Sequence, residues 1–153
     1  MITSQNIDIM DAYHRWYYDS GVWQHVSFLG VPCLKSVSDL WNYQEIIHCL
    51  KPSLVVEFGT HHGGSALYLS FILKYVSNHS RVVSVDLDMR RVDTLVKRDP
   101  RIVLIESDTA SPMVARRLSD LRLAYPGSIL VVLDSDHHKT HVLNEMMVLR
   151  DVM

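Results

Sequence analysis

The segment from Leu54 to Ser65, LVVEFGTHHGGS, sets the tightest limit on what this chain can fold into. An apolar run, Leu54-Val55-Val56, stops at Glu57 and turns through Gly59, Gly63 and Gly64 into an apolar-periodic stretch, Ala66 to Tyr75. The pattern predicts a strand, a glycine-rich turn and a helix start. At the carboxyl end of a parallel strand, such a turn lets a ligand approach the backbone. Glycine has no Cβ to hold it off, and the new helix offers unpaired N–H groups.

Three more apolar runs follow, at Arg81 to Val85, Arg101 to Ile105 and Ser128 to Leu133. Helical patterns separate them: Ser65 to Val76, Met89 to Lys97, and Ser111-Pro112 to about Leu123, the last with proline in its first turn. A final helix begins at Thr140 or His141. Strands alternating with helices call for an α/β fold, a parallel sheet with right-handed crossovers. The unbroken apolar character of Ser128 to Leu133 predicts burial on both sheet faces.

Upstream, Leu40, Tyr43, Ile46, Ile47 and Leu50 form the apolar stripe of a helix from about Leu40 to Leu50, with Ser38 and Asp39 as N-cap chemistry. Lys51-Pro52 ends it. Gly30-Val31-Pro32 reads as a turn or extended link. Residues 1–30 carry Tyr13, Trp16, Tyr17, Tyr18, Trp23 and Phe28, with a short helix over Met10 to Tyr18. Rings at helical spacing more often pack on the main body than form a lid over a substrate, and packing is the expectation.

A length of 153 residues suits one domain with a real core. The net charge of -2 gives no electrostatic reason to expect nucleic acid. The longest apolar stretches, such as Ile129 to Leu133, fall far short of the ~20 residues of a membrane span, and Met1 to Asp11 lacks a basic segment followed by an apolar one. A cytoplasmic protein is the simplest reading. Cys33 and Cys49 fit no CxxC or zinc spacing and read as reduced structural thiols.

All four strands finish in acids or glycines: Glu57 and Gly59, Asp86, Glu106 and Asp108, Asp134 and Asp136. In a parallel sheet those ends share one edge, so they should converge on one crevice. An acid ending the second strand can accept both hydroxyls of a ribose, which gives Asp86 a ligand role and leaves Asp88 to cap a helix. Any one acid alone could be a helix cap. The histidines cluster too, at His61-His62 and at His137, His138 and His141. His137 and His141 stand four apart and could hold a soft metal from one helix face. That reading ranks below a hard-metal one because no second ligand set is apparent.

The turn fails the GxGxxG spacing of a nicotinamide-binding turn and lacks the lysine of a P-loop. Its ExGxxxGxS pattern, followed by an acid ending the next strand, resembles the S-adenosylmethionine site of class I methyltransferases, especially the metal-dependent catechol-type O-methyltransferases. Within that group the chain is similar to the family of cephalosporin hydroxylases and rhamnosyl O-methyltransferases. The likeness rests on GVPCLKSVSDLWNYQEII (Gly30 to Ile47), VVEFGTHHGGSALY (Val55 to Tyr68), VVSVDLD (Val82 to Asp88) and VVLDSDHHKTHVLNEM (Val131 to Met146).

The resemblance implies a Rossmann-like class I methyltransferase fold with helices on both faces of the sheet. One S-adenosylmethionine-binding domain would cover 1–153, with an N-terminal aromatic helical segment over 1–50. Glu57, Gly59, Gly63 and Ser65 would line the methionine end of the cofactor, Asp86 would hold its ribose, and Asp108 would lie near the adenine. Asp134 would be the first carboxylate ligand of Mg²⁺, which would lower the pKa of the substrate hydroxyl. His137 is the better-tuned proton acceptor, with His138 and Lys139 behind it. The acceptor would be a hydroxyl of a sugar, glycolipid or natural product.

Family members continue past the fourth strand and its helix into more strands and a second acidic pair. The expectation is therefore a truncated sheet whose open fourth-strand edge is covered by a missing segment or by another copy. Two other readings stay open. One is a shortened, non-catalytic cofactor-binding or interaction module. The other, an NAD-dependent oxidoreductase, is disfavoured by the glycine spacing.

Overall fold

The computed structural model describes residues 4–150 and 152. Four parallel strands form the centre: β3 (Leu54–Phe58), β4 (Arg81–Asp86), β5 (Ile102–Glu106) and β6 (Ile129–Leu133), in the spatial order β5-β4-β3-β6. Val56 pairs with Val83 on one side of β3 and with Val131 on the other. The chain first builds outward from β3 to β5, then crosses back to add β6 on the opposite side. That reversal opens a crevice above β3, at the carboxyl ends of the strands.

Alternation along the strands divides the core in two. Val55 and Val82 face α2 (Val37–Leu50) and α3 (Gly64–Val76), where they meet Ile47, Ala66, Leu69 and Leu73. Leu54, Val56, Phe58, Val83 and Val85 face the other way, against Val114 and Leu118 of α5 (Pro112–Ala124) and Leu149 of α6 (Lys139–Arg150). Helices thus cover both faces. Glu57 shares the side of Val55 and lies under α3, opposite Ser84 of β4. Its position follows from the period of two.

Several boundaries differ from the sequence reading. α2 starts three residues earlier, with Ser36 rather than Ser38 or Asp39 at its N-cap. The helix expected over Met89 to Lys97 is only α4 (Thr94–Arg98), because Asp93 is the residue whose side chain caps it, accepting from the Leu95 amide. Asp88 instead folds back on Arg90, accepting from its amide and its guanidinium. Of β6, Val132 alone is buried, since among the described residues no strand covers its outer edge; burial on both faces does not hold.

The aromatic segment also differs. α1 (Ser4–Asp19) is longer than expected, and Tyr17 is its one buried ring; Tyr13, Trp16 and Tyr18 are exposed. The helix runs on into a 3₁₀ turn, Val22–His25, and not onto the sheet, which leaves most of its stripe uncovered. Next, β1 (Ser27–Phe28) and β2 (Val31–Pro32) form a small antiparallel hairpin where the sequence suggests only a link. Its two-residue loop has positive φ at both Leu29 and Gly30, the geometry that matches strand twist in tight hairpins. Leucine at such a position hides the turn from sequence reading. Phe28 anchors the hairpin edge-on to Tyr68 and Phe71 of α3.

Candidate active site

A cleft of about 610 Å³ lies over the carboxyl ends of the strands. Such a volume falls within the ordinary range of small-molecule sites, roughly 300–1,000 Å³. Gly59, Thr60 and His61 border it from the turn after β3, Gly64 and Ser65 from the start of α3, Asp86 from the end of β4, and Asp108 with Thr109 from the loop after β5. Asp134 to His137 and His141 close the far side, and Trp23 with Pro32 to Lys35 close the near one.

The glycines also admit other segments of the chain. A Cβ on Gly59 would meet the carbonyl oxygen of Asp134, one on Gly64 the carbonyl oxygen of Pro32 at 2.3 Å, and one on Gly63 the side chain of Val96 at 2.8 Å. Each is a place where the turn presses against another segment of the chain. Internal packing is therefore a reason for glycine at these positions in its own right, and Gly59 and Gly64 border the cleft as well. Ligand-facing donors come from the first turn of α3, whose amides lack intrahelical acceptors.

Asp86 braces the turn. Its Oδ2 accepts from the amides of Thr60 and His61, each at 2.8 Å. Beneath, Ser84 donates to Glu57 Oε2 at 2.8 Å, so the Ser84 oxygen must accept from Thr60 Oγ1, 2.7 Å away. Glu57 has no exposed surface, and its Oε1 lacks a partner. Burial holds its carboxyl above the ordinary range, opposed by the Lys35 ammonium and the Ser65 and Ser84 hydroxyls.

Lys35 was not singled out by sequence, though it lies in GVPCLKS. Its ammonium is buried and bonded to Asp134 Oδ2. Burial alone would lower its pKa; Asp134 and Glu57 outweigh that and raise it. Nothing in the pattern distinguishes this lysine from a solvated one. Its place depends on the hairpin, which brings Pro32 against Gly64 and so delivers Cys33 and Lys35 to the cleft. Burial also pushes the Cys33 thiol up to about 11, and both cysteines are free.

Of the expected cofactor-binding residues, Gly59, Ser65, Asp86 and Asp108 come together around the cleft. Glu57 and Gly63 do not border it: one stands behind its wall and the other packs on Val96. Among His137, His138 and Lys139, His137 alone borders it, with its Nε2 3.9 Å from Asp134 Oδ1. His138 turns back to Asp136, and Lys139 opens α6. His141 Nε2 is engaged by Thr109 and Glu145, and His137 precedes the helix, so the two histidines do not share a face as a soft-metal pair would.

A hard-metal site has the Asp134 carboxylate to draw on. Asp134 presents a carboxylate to the cleft with over a third of its side chain exposed. Among the described residues no three His, Cys, Asp or Glu side chains converge as a metal-binding group. Mg²⁺ often takes only one or two carboxylates and fills its other positions with water and substrate, so the donor set fits such an ion as a single-carboxylate site.

The family model described as rhamnosyl O-methyltransferase/CmcI matches residues 20–153. A rhamnosyl O-methyltransferase from Mycobacterium bovis (strain BCG / Pasteur 1173P2) is 43% identical over 145 residues, covering 95% of this chain and 59% of the relative. One from Mycobacterium leprae (strain TN) is 42% identical over 153 residues, covering all of this chain and 66% of the relative. The chain thus spans roughly three fifths to two thirds of the length of these relatives. Among solved structures, an apo form of CmcI superposes with a TM-score of 0.68 at 18% identity, covering 85% of this chain and 53% of that one. A CmcI structure with Mg and SAM gives 0.64 at 18% identity, with the same coverage. At that identity the likeness is one of fold.

Proposed function

The chain belongs to the rhamnosyl O-methyltransferase/CmcI family, and from that premise we propose that its cleft binds S-adenosylmethionine and serves methyl transfer to a hydroxyl group. The acceptor class is a sugar, glycolipid or natural product, as the relatives' name suggests. The observation that carries the reading is the meeting of Asp86, the α3 N-terminus and the Lys35–Asp134 pair around one cleft above the switch in strand order.

In this reading Asp86 accepts from the ribose hydroxyls through Oδ1, which bears the long 3.3 Å bond from the Asp88 amide while Oδ2 holds the two amides of the turn. The first turn of α3, near Ser65, receives the carboxylate of the methionine end, where free amides and the helix dipole favour an anion. Asp108 borders the adenine end. Asp134 holds Mg²⁺, which when bound would lower the pKa of the acceptor hydroxyl. Lys35, bonded to Oδ2, fixes the Asp134 carboxylate in direction. The free thiols fit a reducing compartment, and a cytoplasmic location belongs to the same reading.

Calorimetric titration with S-adenosylhomocysteine and with NAD tests the proposal. Binding of the first and not the second is expected; tight NAD binding with no response to S-adenosylhomocysteine would sink it. A second reading, a cofactor-binding module that does not catalyse, draws on the engagement of Asp134 by Lys35. Binding of S-adenosylhomocysteine without Mg²⁺-dependent transfer would favour it.

A further inference from the structure

The two edge strands of the sheet are tied together by one buried carboxylate. β5 and β6 lie on opposite sides of the sheet. Thr109, beyond β5, donates its hydroxyl proton to Glu145 Oε1 at 2.6 Å, and Ser135, beyond β6, donates to the same oxygen. Glu145, on α6, has no exposed surface, and its Oε2 has no hydrogen-bond partner. A carboxylate withdrawn this far from water is retained against a desolvation cost, so what it holds matters. The third group on Oε1 is His141, one turn earlier on α6. Its Nε2 lies 3.2 Å from that oxygen and 2.9 Å from Thr109 Oγ1.

The protons can be counted. Thr109 has one hydroxyl hydrogen and gives it to Glu145, so toward His141 its oxygen can only accept. The Glu145 oxygen already receives the hydroxyls of Thr109 and Ser135, and a carboxylate oxygen toward His141 likewise accepts. Both neighbours of Nε2 are acceptors, so Nε2 carries the proton, and the neutral ring has its lone pair at Nδ1. His141 borders the cleft with 24% of its side chain exposed. His137 is 78% exposed and 3.9 Å from Asp134 Oδ1, too far for a hydrogen bond to fix its ring.

We propose that His141 is the general base of the methyl transfer and that Glu145 is its positioning residue. The inference rests on the reading of the cleft given above. As the acceptor oxygen forms its bond to the methyl carbon of S-adenosylmethionine, the carbon–sulfur bond breaks and its electron pair stays on sulfur. The hydroxyl proton passes to Nδ1. The imidazolium so formed keeps its Nε2 proton on Glu145 and later releases the Nδ1 proton to water. Among the described residues Glu145 on its own helix and Asp136 from the loop after β6 act on the ring, and Asp108 from the loop after β5 lines the same cleft.

Two measurements test this. In the first, transfer from S-adenosylmethionine to methyl α-rhamnoside, used as the probe with Mg²⁺ present, is followed against pH. His141→Gln should lower kcat by about 100-fold and remove its acid limb, while S-adenosylhomocysteine affinity stays within about threefold. Glu145→Gln, which keeps the shape and loses the charge, should lower kcat by roughly tenfold with the same affinity. Unchanged turnover and pH limb in His141→Gln, or a loss of affinity matching the loss of rate, would overturn the proposal. In the second, ¹⁵N NMR of the imidazoles, with and without S-adenosylhomocysteine, reads the tautomer whether or not the rhamnoside is methylated. Protonation at Nε2 is expected, and an Nδ1–H tautomer in both states would overturn it. Failure of the unsubstituted protein to bind S-adenosylhomocysteine would count against the cleft reading instead.

Discussion

A Cβ on Gly59 would stand 2.2 Å from the carbonyl oxygen of Asp134. The turn after β3 and the loop after β6 therefore touch backbone to backbone. Phe58 O accepts from the Asp134 amide at 2.9 Å on one side of this contact, and Val85 O from the Gly59 amide at 2.8 Å on the other. The residue that places Asp134 over the cleft is thus a glycine 75 positions earlier, and it does so by having no side chain.

Gly59→Ala should consequently be severe. It combines φ of +98°, which an L side chain rarely adopts, with a clash against backbone that cannot rotate away. A loss of at least about 3 kcal/mol is expected, from left-handed strain and overpacking together. Gly30→Ala is the comparison: its φ is +83° with nothing within 4 Å, so strain alone should cost about 1–2 kcal/mol. Urea unfolding of both variants checks the ranking, and equal losses would mean that the Asp134 contact relaxes.

Glu57→Gln should stabilise the protein at pH 7. Burial raises the Glu57 pKa above its ordinary 4.5, so the folded chain favours the neutral carboxyl. The sign follows from linkage: this group's contribution is best below the unfolded pKa and declines as pH rises through the folded one. Glutamine mimics the neutral form and can still accept from Ser84. Unfolding midpoints at pH 4 and pH 7 should show a gain at the higher pH that shrinks at the lower. A loss at pH 7 would mean that attraction to Lys35 outweighs desolvation.

Lys35→Met should destabilise by about 1–3 kcal/mol, less than for a fully buried pair because water reaches Asp134. The raised pKa of Lys35 means that its contribution is fully present below about 10.5 and is lost as pH rises through the folded value. Stability of the parent should thus fall in strong alkali and that of the variant should fall less. A double-mutant cycle with Asp134→Asn measures the pair directly. A coupling near zero would remove Lys35 from the account of how Asp134 is held.

The sheet was legible because apolar runs and acids fall where β3 to β6 begin and end; Glu57, expected beside a cofactor, instead lies under α3 because the strand's period of two turns it to that face. The cleft was legible in part: Asp86, Asp108 and Asp134 end strands, and strand ends converge. Lys35, Thr109, Ser135 and Glu145 were not, since each reaches the site through a contact between segments distant in sequence. The β1–β2 hairpin that delivers Lys35 hides its turn behind a leucine in left-handed conformation, and Glu145 reads as one more polar residue on a helix until α6 is laid against two loops. The exposed rings of α1 show the converse: helical spacing announces a stripe without saying what covers it.

Asp86→Ala and Asp134→Ala should separate cofactor binding from metal-dependent turnover. Asp86 Oδ2 holds two loop amides. Its removal should therefore loosen the turn by about 1–3 kcal/mol as well as weaken S-adenosylhomocysteine binding. Asp86→Asn keeps an oxygen for those amides, so it should recover most of the stability and little of the affinity. Asp134→Ala leaves the first turn of α3 and Asp86 in place, and S-adenosylhomocysteine affinity should change little. What it should lose is the response of methyl transfer to Mg²⁺ and to chelation by EDTA. Because Lys35 already occupies one carboxylate oxygen of Asp134, Mg²⁺ should bind the parent weakly and compete with that ion pair. Lys35→Met should then tighten Mg²⁺, read by calorimetry without turnover. Equal losses of cofactor affinity in Asp86→Ala and Asp134→Ala, or Mg²⁺ binding indifferent to Lys35, would contradict the roles given to the two acids.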